Sequence, residues 1–341
     1  MSPPQLPTRQ LGKNGPQVTA LGYGAMGLSA FYGTPLPDED RFKILDRVYE
    51  SGERFWDSAD VYNDNEDLLG KWFQRTGKRD EIFLATKFAN RVRDGSIREV
   101  INDPEYVKES CDKSLKRLGV SHIDLYYCHR FNGKVPVEKV VQAMAELKKE
   151  GKINYLGLSE VSSATLRRAH AVHPISAVQM EYSPFALEIE DPQIELLKTC
   201  RELGVSVVAY SPLGRGVMTG QYKSPDDFEE NDFRRLMPRF SKENFPKNLA
   251  LVDQITAIAQ KKGCTAGQLT LAWLMAQGPD IIPIPGTKNV KYYDENMGAL
   301  NVKVSDVENK EIRKAIEAAE VHGARYPEAM LALLFADTPS L

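Results

Sequence analysis

Cysteine is scarce in this chain and spaced wrongly for a framework. Its four thiols, Cys111, Cys128, Cys200 and Cys264, form no C-x-x-C pair, so neither a disulfide scaffold nor a zinc ribbon is indicated and reduced thiols are expected. No apolar run approaches the ~18 residues a membrane span needs. The opening MSPPQLPTRQLG lacks the basic start and apolar stretch of an export signal. The expectation is a soluble, cytoplasmic protein with no membrane partner. Excess charge of one sign is missing too: 44 Lys and Arg against 47 Asp and Glu leave a net charge of -3, which gives no field for nucleic acid. The five histidines, at 122, 129, 170, 173 and 322, bring no ligand-like carboxylate cluster with them. No metal is expected, which disfavours a barrel hydrolase.

What the chain does have is alternation. Short apolar runs (ERFW, EIFLAT, HIDLYYC, INYLGLSE, ISAVQ, VSVVAYSP, IIPIPG) are separated by helix-period segments at about 38–51, 65–76, 104–118, 136–150, 162–172, 191–203, 247–277 and 289–299. Strands interleaved with helices predict a parallel sheet with helices outside. With a first strand ending near Gly24, these seven runs make eight units, which in 341 residues read as one (β/α)8 TIM barrel domain spanning 1–341. Residues 8 to 24, with the turn KNGP, read as an N-terminal β-hairpin that plugs the barrel floor. Asp103-Pro104 and Asp191-Pro192 read as helix starts, and Gly52, Gly119, Gly151 and Gly204 as stops. Residues 214–246 form a connection too long for routine use, expected to cover the site. After an amphipathic helix at about 305–319, residues 322–341 form a partly apolar C-terminal helical tail, with Met330, Leu331, Leu333, Leu334 and Phe335 expected to pack over the barrel mouth or on another subunit.

The chemistry stands where the strands end. Asp57 and Tyr62 follow ERFW, Lys87 follows EIFLAT and His129 follows HIDLYYC. A barrel brings these strand ends around one pocket. A phenol near an ammonium, the ammonium fixed by an aspartate, and a histidine donor together stabilise negative charge on a carbonyl oxygen and supply its proton.

Over nearly its whole length the chain resembles the aldo-keto reductases: LGYGAMGLS, DSADVYNDNEDLLGKW, FLATKF, IDLYYCHR, LKKEGKINYLGLSE, AVQMEYSPF, VVAYSPLGRG and IPIPGTKNVKYYDEN carry the likeness. It looks most like a microbial and plant branch with GLSE and RRAHAVHPI. The resemblance implies an NADP-dependent oxidoreductase, of alcohol dehydrogenase or carbonyl reductase type, that reduces a small-molecule aldehyde or ketone. It makes Asp57, Tyr62, Lys87 and His129 the catalytic tetrad, with Tyr62 the proton donor, and NADPH the cofactor. Ser159 and Gln179 would bind the carboxamide, Tyr210 would stack on the nicotinamide, and Ser211, Leu213, Gly214 and Gly216 would line the pyrophosphate. Gly286, Thr287 and Lys288 would approach the 2′-phosphate, and Glu295 and Asn296 the adenine. Gly24 and Met26 would touch cofactor at the first strand end, and Tyr32, Trp56, Phe88 and Arg130 are candidates for the substrate pocket, with core packing the equal alternative for Trp56 and Phe88 and an ion pair to a strand-end carboxylate the alternative for Arg130. The chain departs from the family pattern at Glu160, where many members have asparagine, at Asn63 after the tyrosine, where glycine is usual, and at Asn289 and Tyr292, which replace arginines.

Gly22-Tyr23-Gly24-Ala25-Met26-Gly27 also matches G-x-G-x-x-G, but prolines at 35 and 37 postpone the helix that a Rossmann fingerprint requires. None of the fourteen tyrosines has a lysine four residues on, against a short-chain dehydrogenase. The alternative on the same scaffold is a nicotinamide-nucleotide-sensing regulatory subunit with slow or no turnover. Oligomeric state is not fixed by the sequence.

Overall fold

Each apolar run becomes one strand of a closed sheet. The computed structural model describes residues 4–93 and 96–341. A hairpin of β1 (Thr8–Gln10) and β2 (Gln17–Thr19) leads into β3 (Tyr23–Gly24), β4 (Phe55–Asp57) and β5 (Phe83–Phe88). A second hairpin, β6 (Asn90–Arg93) and β7 (Ser96–Val100), not foreseen from sequence, precedes β8 (Ile123–Cys128). There follow β9 (Ile153–Ser159), β10 (Ala177–Glu181), β11 (Ser206–Tyr210) and β12 (Ile281–Pro283). The order β3-β4-β5-β8-β9-β10-β11-β12 is parallel throughout. The end strands meet: Gly22 N–H donates to Pro283 O (2.9 Å) and Gly24 N–H to Pro285 O (3.2 Å). The fold is a (β/α)8 barrel.

The outer ring is α1 (Asp38–Glu50), α2 (Asn65–Thr76), α3 (Pro104–Leu118), α4 (Val137–Lys149), α5 (Ser163–Val172), α6 (Leu196–Leu203), α7 (Phe245–Lys262), α8 (Ala266–Ala276) and α9 (Val290–Met297). Two expected boundaries are corrected. The segment 247–277 is two helices, because Gly263 takes φ +75° and Thr265 opens a new helix through a capping box with Gln268. Asp191 caps a turn by accepting from Gln193 N–H (2.7 Å), and α6 starts only at Leu196. No described helix is long and apolar enough to cross a membrane.

Strand periodicity divides the core in two. Phe55, Ala85, Leu125, Tyr127, Ala177, Val208 and Ile282 point inward and pack together with Leu11 and Val18 of the hairpin, which plugs the floor. Their neighbours Trp56, Leu84, Tyr126, Val178, Val207 and Ile281 point outward into the layer beneath the helices. Fully burying a side chain of this size stabilises by about 1.5–3 kcal/mol, so a slip of one residue in any strand would exchange the two faces at large cost. After α10 (Asp306–Ala318), the tail with α11 (Glu328–Leu331) returns to the strand ends, where Ala336 N–H donates to Glu160 O (2.8 Å) and Ser162 N–H to Ala336 O (3.1 Å).

Candidate active site

The inward parity that fills the barrel floor continues to its carboxyl end, where the side chains become polar. Asp57 ends β4, Lys87 is the last inward residue of β5, His129 follows β8, Ser159 ends β9, and Gln179 and Tyr210 lie on β10 and β11. Lys87 Nζ donates to Asp57 Oδ1 and to Ser58 O, both at 2.5 Å. Gln179 Nε2 donates to Asp57 Oδ2 at 2.8 Å. The pair is wholly enclosed: burial raises the Asp57 carboxyl and lowers the Lys87 ammonium, and their mutual attraction opposes both shifts.

Tyr62 reaches the same spot from the loop after β4. Asn63 adopts φ +49°, a left-handed conformation that asparagine tolerates, and its Nδ2 donates to Ser29 O (2.9 Å). The Tyr62 ring lies edge-on to His129, with centroids 5.9 Å apart, and 5.1 Å from Lys87 Nζ. Burial, then Asp57, raises the Tyr62 hydroxyl well above its ordinary pKa, and the cation that most opposes this is Arg130. Burial, with Arg130 and Lys87 adding, drives His129 well below its ordinary pKa, leaving a neutral imidazole. Among the described residues neither the Tyr62 hydroxyl nor the His129 ring has a hydrogen-bond partner.

The groups expected to meet a dinucleotide gather on the β11, β12 and β3 side. Ser211 (φ +48°), Gly214 (+53°), Arg215 (+58°) and Gly216 (+91°) turn the backbone after β11 through left-handed conformations, with Gly214 N–H donating to Ser211 O (2.9 Å) and Gly216 N–H to Leu213 O (3.0 Å) within the turn. A Cβ on Gly214 would lie 2.5 Å from the Phe185 ring, and one on Gly286 would lie 2.4 Å from Gly24 O. Leu213 is buried beside this turn, and Met26 packs near Tyr62. Thr287 Oγ1 accepts from Asn289 N–H (3.1 Å), and Asn289 caps α9, which carries Glu295 and the buried Asn296. Lys288 Nζ donates to Tyr32 O (2.9 Å) and lies 3.5 Å from Glu229, linking the β3 loop to the 214–246 connection. That connection crosses the mouth, with Phe233 N–H donating to Phe31 O (2.9 Å) and Arg234 4.8 Å from the Tyr32 ring. The left-handed turn after β11 and Lys288 ahead of α9 fit the phosphates of a nicotinamide dinucleotide.

Two pocket candidates are corrected. Trp56 and Phe88 are both fully buried in the outer core, Trp56 against Trp72 (4.7 Å) and Phe88 stacked on Tyr126 (5.0 Å). Each stands next to an inward residue, Asp57 or Lys87, so the pleat turns it away from the mouth. Arg130 Nη1 bonds Ser159 Oγ at the end of β9 (3.2 Å), and the Tyr32 ring lies 4.8 Å from Arg234 of the 214–246 connection. Sequence reasoning missed two residues of the tail: Arg325 bonds Glu160 at 3.2 and 3.3 Å and Glu181 at 3.4 Å, and the Tyr326 hydroxyl lies 3.3 Å from that of Tyr210. Glu160 itself takes φ +49° and accepts from the Tyr210 hydroxyl (2.8 Å). Its carboxylate thus serves the tail and Tyr210. The segment HGARYPEAM offers no local signal of this beyond a charged and an aromatic residue between glycine and proline.

Residues 20–317 match the aldo/keto reductase family model. The chain is 55% identical over 341 residues to the aldo-keto reductase str7 of Strobilurus tenacellus, covering 98% of this chain and 99% of that one. It is 54% identical over 340 residues, with the same coverage, to the aldo-keto reductase yakc [NADP(+)] of Schizosaccharomyces pombe. Among solved structures it is similar to the glycerol dehydrogenase AKR11B4 of Gluconobacter oxydans, with a TM-score of 0.82, 23% identity and coverage of 93% and 97%. It is similar also to the thermostable aldo-keto reductase Tm1743 in complex with the inhibitor epalrestat, with a TM-score of 0.73, 27% identity and coverage of 91% and 100%.

Proposed function

The chain belongs to the aldo/keto reductase family, and we propose that it is a carbonyl reductase using NADPH, in which Tyr62 gives the proton and Asp57, Lys87 and His129 complete the catalytic set. The observation that carries this reading is the buried Lys87–Asp57 pair (2.5 Å) beside two polar groups, Tyr62 and His129, that have no hydrogen-bond partner among the described residues. The name of the Schizosaccharomyces pombe relative supports NADP as cofactor.

A bound nicotinamide dinucleotide supplies the hydride. Ser211, Leu213, Gly214 and Gly216 would hold its pyrophosphate, Thr287 and Lys288 its 2′-phosphate, and Ser159 with Tyr210 its nicotinamide end. The chain's own groups do the rest. His129, neutral, donates a hydrogen bond to the substrate oxygen and polarises the carbonyl. Tyr62 donates the proton as negative charge grows on that oxygen. Lys87, fixed by Asp57 and Ser58 O, keeps positive charge 5.1 Å from the Tyr62 ring and stabilises the phenolate left behind. The 214–246 connection and the tail exclude water from these steps.

The test is NADPH oxidation, followed by absorbance, across aromatic and aliphatic aldehydes, diketones and pyridoxal. Tyr62→Phe should lower kcat by ~10²–10⁴ and leave NADPH binding within about twofold. A variant that keeps more than a tenth of kcat refutes Tyr62 as the donor.

A further inference from the structure

Around the mouth the buried charges pair off, with one cation left over. Lys87 is matched by Asp57 at 2.5 Å, Arg325 by Glu160 at 3.2 Å and Arg215 by Glu181 at 3.5 Å. Arg130 is as buried as these, at 8% exposure, yet among the described residues no carboxylate oxygen lies within 4.0 Å of its guanidinium. Glu160 stands nearby, but its oxygens are taken by Arg325 and Tyr210. Both hydrogen bonds of Arg130 leave Nη1, to His129 O (2.7 Å) and Ser159 Oγ (3.2 Å). Nη2 and Nε have no partner among the described residues, and neither is sealed from the mouth. Among the described residues Arg239 is also buried without an ion pair, but it lines a separate groove of about 530 Å³ together with the carboxylates Glu188, Glu190 and Asp191.

An unmatched guanidinium so largely buried is costly unless something brings its counter-charge. The free edge of Arg130 presents parallel N–H groups, the fork that suits a carboxylate. One peptide joins it to His129, so the group that would meet the carbonyl oxygen and the group that would meet an anion are held together. Bonds to His129 O and Ser159 Oγ brace that edge.

We propose that Arg130 binds a carboxylate carried by the same molecule as the reducible carbonyl, which makes oxo acids and carboxylated aldehydes the preferred substrate class. This rests on the reading of Tyr62 and His129 given above. The competing use of Arg130 is to support the cofactor through Ser159, and it predicts a different result: a loss shared equally by charged and uncharged substrates.

The experiment compares phenylglyoxylate and 3-carboxybenzaldehyde with their methyl esters at saturating NADPH. In the unmodified protein kcat/KM for at least one acid should exceed that for its ester by tenfold or more. Arg130→Met should lower that acid-to-ester ratio by roughly ten- to a hundredfold, the range for charge-assisted hydrogen bonds, and Arg130→Lys, which keeps the charge without the fork, should lower it less. Esters reduced as well as acids in both pairs, an unchanged ratio in Arg130→Met, or a rise in KM for NADPH shared by acid and ester would each overturn the proposal. Should Arg130→Met fail to fold, the ratio in the unmodified protein and in Arg130→Lys decides. If no carbonyl compound is reduced at all, the proposed function falls, and calorimetric titration of phenylglyoxylate into the NADP+-loaded protein tests the arginine alone. Binding weakened at least tenfold in Arg130→Lys then supports the proposal, and equal or absent binding in both proteins overturns it.

Discussion

Replacing Arg325 with methionine should destabilise the protein in a way that depends on pH, and the structure gives both size and sign. The guanidinium bonds Glu160 at 3.2 and 3.3 Å and Glu181 at 3.4 Å, and lies 3.5 Å from Glu188. The Arg325 and Glu160 side chains are 4% and 0% exposed. Methionine keeps most of the packing and removes the charge, leaving Glu160 without its paired cation while Glu181 keeps Arg215 at 3.5 Å. Breaking a buried pair on one side costs about 3–5 kcal/mol, a large part of the 5–15 kcal/mol typical of a domain.

Burial by itself would raise the Glu160 carboxyl; Arg325 first, then Arg130 and Tyr210, overcome this and hold it below its ordinary value of 4.5. A depressed carboxylate adds stability above its unfolded pKa and loses it as pH falls through the folded one. Without Arg325 burial gains the upper hand, so the native state holds its proton more tightly than the unfolded chain does. The variant should therefore lie close to the parent near pH 4.5 and fall behind as pH rises, by about 3–5 kcal/mol at pH 7.5. Urea denaturation at pH 4.5, 6 and 7.5 measures this, and Glu160→Gln combined with Arg325→Met should recover part of the loss. A gap below about 1 kcal/mol at pH 7.5, as for an exposed pair, or a gap that does not change with pH, would refute the argument. The tail hangs on the same bond, so KM for bulky carbonyl compounds should rise in the single variant.

Two further outcomes are expected. Burial raises Glu53, beneath β4, to about 8, so native stability should fall as pH rises from 4.5 through 8; Glu53→Gln should remove that dependence and gain about 3 kcal/mol at pH 7, at ~1.4 kcal/mol per pH unit, and equal pH profiles in urea would count against it. Lys288→Ala should raise KM for NADPH by roughly ten- to a hundredfold if the ammonium meets the 2′-phosphate; an equal rise for NADH would show that Lys288 serves only to tie Tyr32 O and Glu229 across the mouth.

Much of this was legible because strands impose a period of two. Asp57, Lys87, His129, Ser159, Gln179 and Tyr210 share inward parity with Phe55, Ala85, Leu125, Ala177 and Val208 of the floor. The same rule, applied strictly, assigns Trp56 and Phe88 to the outer layer, so the sequence itself decides for core packing over the pocket at these two positions. The break at Gly263 was likewise written in the chain. What was not legible depends on long-range contacts. Nothing local says that Arg325 finds Glu160, 165 residues away, or that Gln179 finds Asp57, 122 residues away. The β6–β7 hairpin follows from the register of a short polar segment with no clear apolar alternation.

The separation of satisfied from unsatisfied groups also resolves an apparent conflict over Gln179. Its resemblance-based role is to meet the nicotinamide carboxamide, yet in the structure it donates to Asp57 Oδ2. A primary amide has two N–H donors and a carbonyl acceptor, so one bond to Asp57 leaves a donor and the carbonyl for a ligand, and both roles are compatible. Lys87 follows the same count. Its ammonium has three donors, two are used on Asp57 and Ser58 O, and the third is available toward Tyr62. The residues that fix the site have thus met most of their hydrogen-bonding needs within the protein. Tyr62 and His129, which in the proposed reaction must both face the carbonyl oxygen, have not. A site that leaves the groups needed at the reacting atom wanting partners gains most when that oxygen becomes an anion, because its donors are already in place and need no reorganisation.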